Sequence, residues 1–158
     1  MLLKQFLNDK EILYLLKIAK NIDYKKKANG VNVFIEKIIK FKNDKILKCI
    51  INKALTKLNE HYIGFEFHFE CSVFLKIENK GWVSKHLDWV EFNKRVLNFN
   101  ILLQKPKDGG FILHGNKKII MNVGDAYILD ASIPHGISSL KSDDNYFSLI
   151  FWNSKNIK

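Results

Sequence analysis

The chain has 158 residues, 47% hydrophobic and 13% aromatic, with a formal net charge of +10. That length and apolar content suit one domain with a single core and exclude a disordered chain. No apolar run approaches the roughly 18 residues of a membrane-spanning helix, and Gln5, Asn8 and Asp9 interrupt any signal-peptide pattern, so a soluble, cytoplasmic protein is expected.

In chain order, residues 8–20 read as a helix. Asn8 or Asp9 can cap it, and Ile12, Leu13, Leu15, Leu16 and Ile18 form its apolar face. Lys25-Lys26-Lys27 and Ala28-Asn29-Gly30 make a break, and residues 31–40 fit either a short strand or a helix. Residues 43–61 form a second helix, capped by Asn43 or Asp44, with Leu47, Ile50, Ile51, Ala54, Leu55 and Leu58 on one stripe and Ile46 at its edge. After Gly64 the period switches to two, from Phe65 to Ile77. Further strands are expected at 82–88, 96–104, 111–114, 117–122, 126–131 and 146–152, separated by turn residues such as Asn79-Lys80-Gly81 and Gly109-Gly110. Helices followed by many short strands predict a mainly β fold with N-terminal helices. The architecture expected is a sandwich or jelly-roll barrel with the helices packed outside it. Residues 1–158 read as a single domain, with 1–62 as helical support and 65–152 as the barrel core.

The charge does not call for a nucleic-acid partner. Every basic residue except Arg95 is lysine, and the lysines are scattered apart from Lys25-Lys26-Lys27. Base readers favour arginine for its bidentate fork. No membrane partner is expected either. Cys49 and Cys71 are expected as free thiols.

Chemistry concentrates in Lys85-His86-Leu87-Asp88 and Pro134-His135-Gly136. On an extended strand, side chains at i and i+2 share a face, so His86 and Asp88 can grip one ion together. Brought to the same point, His135 completes two imidazoles and one carboxylate on one side of a metal. That facial set, with the opposite positions open, is the non-heme Fe(II) oxygenase arrangement. Among the other histidines, His68 with Glu70 reads as a solvent face and His61 as a helix end. His114 is a candidate for the substrate pocket, and Trp89 for its entrance.

The segments Gly81–Asp88, Arg95–Gln104, Gly109-Gly110, Gly124–Asp130, Pro134–Gly136 and Phe147–Trp152 together resemble the Fe(II)/2-oxoglutarate-dependent dioxygenases, most closely their prolyl-4-hydroxylase-like branch. The resemblance implies a double-stranded β-helix (a jelly-roll or cupin-like barrel) holding iron at one end through His86, Asp88 and His135. It also implies 2-oxoglutarate as cosubstrate and O2 as oxidant. Because Asp88 occupies the carboxylate position, hydroxylation is implied rather than halogenation.

One departure stands out. The family's last core strand carries a basic residue that pairs with the far carboxylate of 2-oxoglutarate, and a serine two positions on. Here Ser148 matches the serine and Tyr146 stands where the cation belongs. A tyrosine hydroxyl donates a hydrogen bond but supplies no charge. Lys76, Arg95 and Lys141 are candidate replacements, and Asn98 and Asn100 are candidate cosubstrate ligands if their strand face looks into the barrel.

The expected function is therefore an Fe(II)/2-oxoglutarate hydroxylase acting on a peptidyl side chain such as proline, or on a small molecule. The alternatives are a metal-dependent oxygenase of the same fold that does not use 2-oxoglutarate, and a non-catalytic β-barrel binding module.

Overall fold

The computed structural model describes residues 1–37, 44–88 and 95–157. Of Glu70, Arg95, Val96 and residues 154–157 only the backbone is described. Trp89, Asn43 and the end of the ambiguous 31–40 segment lie outside the described residues.

Both helices form where their caps direct. Helix α1 spans Asp9–Lys20, and Asn8 and Glu11 close a reciprocal capping box at its start. Helix α2 spans Lys45–His61, and Asp44 accepts from the Leu47 N–H at 2.9 Å. Of the expected stripe, Leu47, Ile50, Ala54 and Leu58 are buried, and Ile51 and Leu55 flank them half-buried. Cys49, off that stripe, is exposed, and neither cysteine is in a disulfide.

The strands are β1 (Leu2–Leu3), β2 (Lys26–Lys27), β3 (Gly30–Lys37), β4 (Phe65–His86), β5 (Arg95–Gln104), β6 (Ile112–His114), β7 (Lys117–Ile119), β8 (Ala126–Asp130), β9 (His135–Ile137) and β10 (Tyr146–Ile157). They form one curled antiparallel sheet in the order β1-β8-β5-β10-β4-β9-β6-β7, with β3 also on β4 and β2 on β3. This is a jelly-roll half-barrel with the helices outside it. The ambiguous segment is a strand as far as Lys37, and it makes a hairpin with Lys26–Lys27. The N-terminal third is thus not purely helical: three of its strands extend the barrel sheet.

Strand β4 produces the curl. Its first part pairs with β10 from Phe65 to Ile77, and its last part pairs with β9 at Val83 and His86. Between them Asn79 and Lys80 take left-handed φ values of 49° and 60°. The Asn79-Lys80-Gly81 signal is therefore a bend that carries one 22-residue strand from one side of the barrel to the other.

Two cores follow from the alternation. Outward-facing Phe99, Ile101, Leu149 and Phe151 pack under α1 and α2. Phe99 is fully buried, with the Phe6 ring 4.8 Å away, and such burial contributes about 2–3 kcal/mol. The inner core of Leu75, Ile77, Leu102, Leu129, Ile137 and Tyr146 fills the barrel. The Gly109-Gly110 turn closes its end. Gly109 has φ +84°, and a Cβ there would stand 2.2 Å from the Ser139 carbonyl oxygen, so only glycine fits. Among the described residues, no helix is long and apolar enough to cross a membrane.

Candidate metal centre

His86 ends β4 and His135 begins β9, and the two residues are direct cross-strand partners. Asp88 lies just past the strand, where its backbone N–H donates to the Ala131 carbonyl at 3.2 Å. The pairing register thus brings together residues far apart in sequence. His86 Nε2 is 3.4 Å from Asp88 Oδ1, and His135 Nε2 is 3.5 Å from Asp88 Oδ2. One ligating atom from each of the three residues lies within 4.8 Å of the other two.

Hydrogen bonds fix both imidazoles. His86 Nδ1 meets the Ser84 carbonyl at 2.8 Å, and His135 Nδ1 meets the Ile133 carbonyl at 3.0 Å. A carbonyl only accepts, so each Nδ1 carries the proton. In the neutral rings each Nε2 then presents a bare lone pair to a carboxylate oxygen. Lone pairs facing one another repel unless a cation stands between them. Ligands about 2.1 Å from a shared ion, at right angles, sit about 3 Å apart, so the donor set and its spacing fit a divalent metal. The backbone carbonyls on Nδ1 are the usual orienting partners of metal-bound histidine.

Electrostatics agree with a cation site. With no ion between the three side chains, burial acts to raise the Asp88 carboxyl, but the His135 and His86 imidazoles, donating when protonated at Nε2, and the Asn98 amide outweigh it and hold it well below the usual carboxylate range. Asp88 in turn raises His86, against a smaller opposing effect of burial. The close approach of β9 to β4 depends on Gly136, where a Cβ would stand 2.6 Å from the Val83 carbonyl oxygen.

The triad opens onto a cavity of about 420 Å³. Its apolar wall includes Leu75, Val83, Leu129 and Ile150, and its polar wall includes Asn98 and Asn100. The face of β5 carrying those asparagines does look into the barrel. Asn98 donates to Asp88 Oδ2 at 2.6 Å.

The other candidate residues fall in different places. Tyr146 is buried in the inner core and does not border the triad cavity; it lines a smaller one of about 70 Å³ beyond it. Burial pushes its phenol up to about 12. Ser148 is buried on the same face of β10 as Ile150 but borders neither cavity, and its Oγ has no hydrogen-bond partner among the described residues.

Lys76 points to the opposite face of β4 from Leu75, pairs with Glu78 at 2.5 Å and lies near the Tyr24 and Phe34 rings. Strand alternation turns it away from the cavity, so it is not a cavity cation. Lys141 is exposed and 3.7 Å from Asp108. His114 uses both ring nitrogens inside the protein, on the Tyr127 hydroxyl and the Asp130 carbonyl, and does not line the cavity. Burial lowers its pKa, in keeping with that neutral role. His68 is on the solvent face, 3.8 Å from Glu66.

Sequence reasoning missed Lys26, Lys27, Asn29 and Trp152, all of which border the cavity. The Asn29-Gly30 dipeptide, a hairpin signal, could have placed the lysine run on a strand.

No known protein-family profile and no curated protein sequence matches the chain. Solved structures do. The 2-oxoglutarate complex of a viral collagen prolyl hydroxylase from Paramecium Bursaria Chlorella virus-1 superposes with a TM-score of 0.76 at 16% identity, over 98% of this chain and 94% of that one. A Pseudomonas putida prolyl-4-hydroxylase gives 0.75 at 17% identity, over 97% and 90%. A Trichoplax adhaerens prolyl hydroxylase, in complex with a hypoxia inducible factor oxygen degradation domain peptide fragment, gives 0.77 at 14%, over 97% and 82%. The chain therefore has the fold shared by prolyl hydroxylases and other 2-oxoglutarate/Fe(II) oxygenases.

Proposed function

We propose that this protein is an Fe(II)/2-oxoglutarate-dependent oxygenase that hydroxylates a peptidyl side chain, or else a small molecule. The observation that carries the reading is the triad: His86, Asp88 and His135 converge on one side of a point at the edge of a walled cavity. Two neutral imidazoles and one carboxylate leave the opposite face of the ion open for cosubstrate and O2. Bound there, Fe(II) with 2-oxoglutarate and O2 supplies oxidative hydroxylation coupled to decarboxylation of the oxoacid to succinate.

The chain's own residues hold and shield that chemistry. Ser84 and Ile133 carbonyls orient the imidazoles, and Asn98 holds the Asp88 carboxylate. Val83, Leu129 and Ile150 exclude water from the wall behind the ion. Tyr146 and Ser148 lie off the triad cavity, so Asn98 and Asn100 on its polar wall are the neutral groups placed to meet an oxoacid in place of a cation. A cytoplasmic setting accords with the two cysteines outside any disulfide.

Anaerobic addition of Fe(II) and 2-oxoglutarate is expected to produce a weak visible charge-transfer band. Succinate release under O2 is expected from the wild type and not from His86→Ala. Iron binding without band or succinate would instead favour an oxygenase of this fold that does not use 2-oxoglutarate, the reading that the neutral Tyr146-Ser148 pair motivates. Failure to bind iron would leave a non-catalytic binding module.

A further inference from the structure

We propose that the β2 edge is the substrate-docking strand and that Lys26 and Lys27 select an extended peptide with acidic side chains. The inference rests on the oxygenase reading and names its substrate class. Lys26 and Lys27 are the only lysine or arginine side chains among the described residues bordering the triad cavity. Several other lysines are engaged: Lys25 with Asp23, Lys53 with Glu11, Lys57 with Glu60 and Lys76 with Glu78. Lys26 and Lys27 have no carboxylate partner among the described residues. Asp88 is the only acidic residue on the cavity wall among the described residues, and a divalent ion more than offsets its charge.

The backbone points the same way. Lys26 and Lys27 are neighbours in a strand, so their side chains leave opposite faces. Both nevertheless border the cavity, as do Ala28 and Asn29; the hairpin therefore presents its edge, not one face. Strand β2 pairs with β3 alone among the described strands. An edge of this kind accepts an extended peptide as an added strand, with main-chain hydrogen bonds for affinity and side-chain contacts for selection. Lysines on an edge strand also discourage pairing between copies of a chain. Selection of a peptide whose acidic side chains neutralise them is compatible with that role.

The test uses fluorescein-labelled peptides of one design with glutamate, glutamine or lysine at two positions flanking a central proline. Binding is read by anisotropy to the Mn(II)-loaded full chain with 2-oxoglutarate, without oxygen. The glutamate peptide is expected to bind about three- to tenfold more tightly than the glutamine peptide, as two exposed charge pairs allow, and the lysine peptide most weakly. The K26Q/K27Q variant is expected to lose the preference and K26R/K27R to keep it. Because the whole chain carries +10, K10Q/K48Q, on exposed helix positions, controls for net charge and is expected to keep the preference as well. Equal binding of the glutamate and glutamine peptides, no binding of any peptide, or a preference that survives K26Q/K27Q would overturn the inference. The Fe(II) band reports separately: present without a glutamate preference, it overturns this inference alone. A preference without the band overturns the oxygenase reading alone.

Discussion

The Asn98 side-chain amide donates to Asp88 Oδ2 at 2.6 Å, while Asn98 Oδ1 is buried with no hydrogen-bond partner among the described residues. A carboxylate only accepts, so the amide nitrogen must be the group facing it. The bond pins the one anionic ligand of the triad. Asn98→Leu removes the donor and leaves the rest of β5 intact. Metal affinity is expected to fall about 10- to 100-fold, the usual effect of losing such an outer partner. Calorimetric titration with Mn(II) checks this, and an unchanged dissociation constant would show that Asp88 needs no such support. Asn98→Asp is expected to be worse, since it sets two carboxylates side by side.

The bare nitrogens facing Asp88 also make the folded state depend on metal. An ion that binds only the folded chain stabilises it by about 2.7 kcal/mol at a hundredfold excess over its dissociation constant. For a chain of this size that is an upward shift in Tm of roughly 5–10 °C. Melting scans with Mn(II), and again after chelation, are expected to show the shift and its reversal. Asp88→Ala is expected to show neither; a shift that persists there would place the ion elsewhere.

The long strands were legible because each depends on local pattern, whereas the approach of His135 to His86 comes from strand pairing that no local pattern shows. Alternation from Phe65 to Ile77 reports a half-buried strand whatever it pairs with, while Asp88, just past the end of β4, is held beside His86 by its N–H bond to Ala131 rather than by alternation. The N-terminal hairpin was not legible. Lys26–Lys27 has no apolar alternation, and its strand character comes wholly from pairing with Phe34 and Ile35. Leu2–Leu3 is likewise a strand only because Tyr127 and Ala126 lie opposite. The buried Asp125 carboxylate anchors that end by accepting from the Gln5 and Asn122 N–H groups. Lys76 misled because alternation says only that it shares a face with Phe74. Which face lines the cavity is decided by the curl of the sheet.

Gly136 links the backbone to the metal centre. Alanine there would put its Cβ 2.6 Å from the Val83 carbonyl oxygen and 3.1 Å from that of Ser84. Backbone cannot yield as a flexible side chain does, so β9 must move away from β4 and carry His135 with it. Gly136→Ala is expected to cost about 1–3 kcal/mol and to weaken metal binding, although no ligand is changed. Urea unfolding of the metal-free protein measures the first effect and metal titration the second. A loss of stability with unaltered affinity would separate the strand contact from ligand placement.

The cap of α2 makes the fold sensitive to acid at a point remote from the metal. Asp44 accepts from the Leu47 N–H and from the Tyr14 hydroxyl, which ties α2 to α1. Burial acts to raise the Asp44 carboxyl, but the Tyr14 hydroxyl and the Leu47 and Ile46 N–H groups outweigh it, and its pKa lies below the ordinary 3.8. The unfolded chain therefore takes up the proton first as pH falls. The stabilisation is complete above the unfolded value and is lost as pH drops through the folded one. At pH 7, Asp44→Ala is expected to cost about 1 kcal/mol, the usual worth of an N-cap. Below pH 4 the gap between variant and wild type is expected to close. Unfolding free energies of both proteins across pH 2.5–7 measure it, and a gap of constant size over that range would show that the carboxylate's charge has no part in the cap.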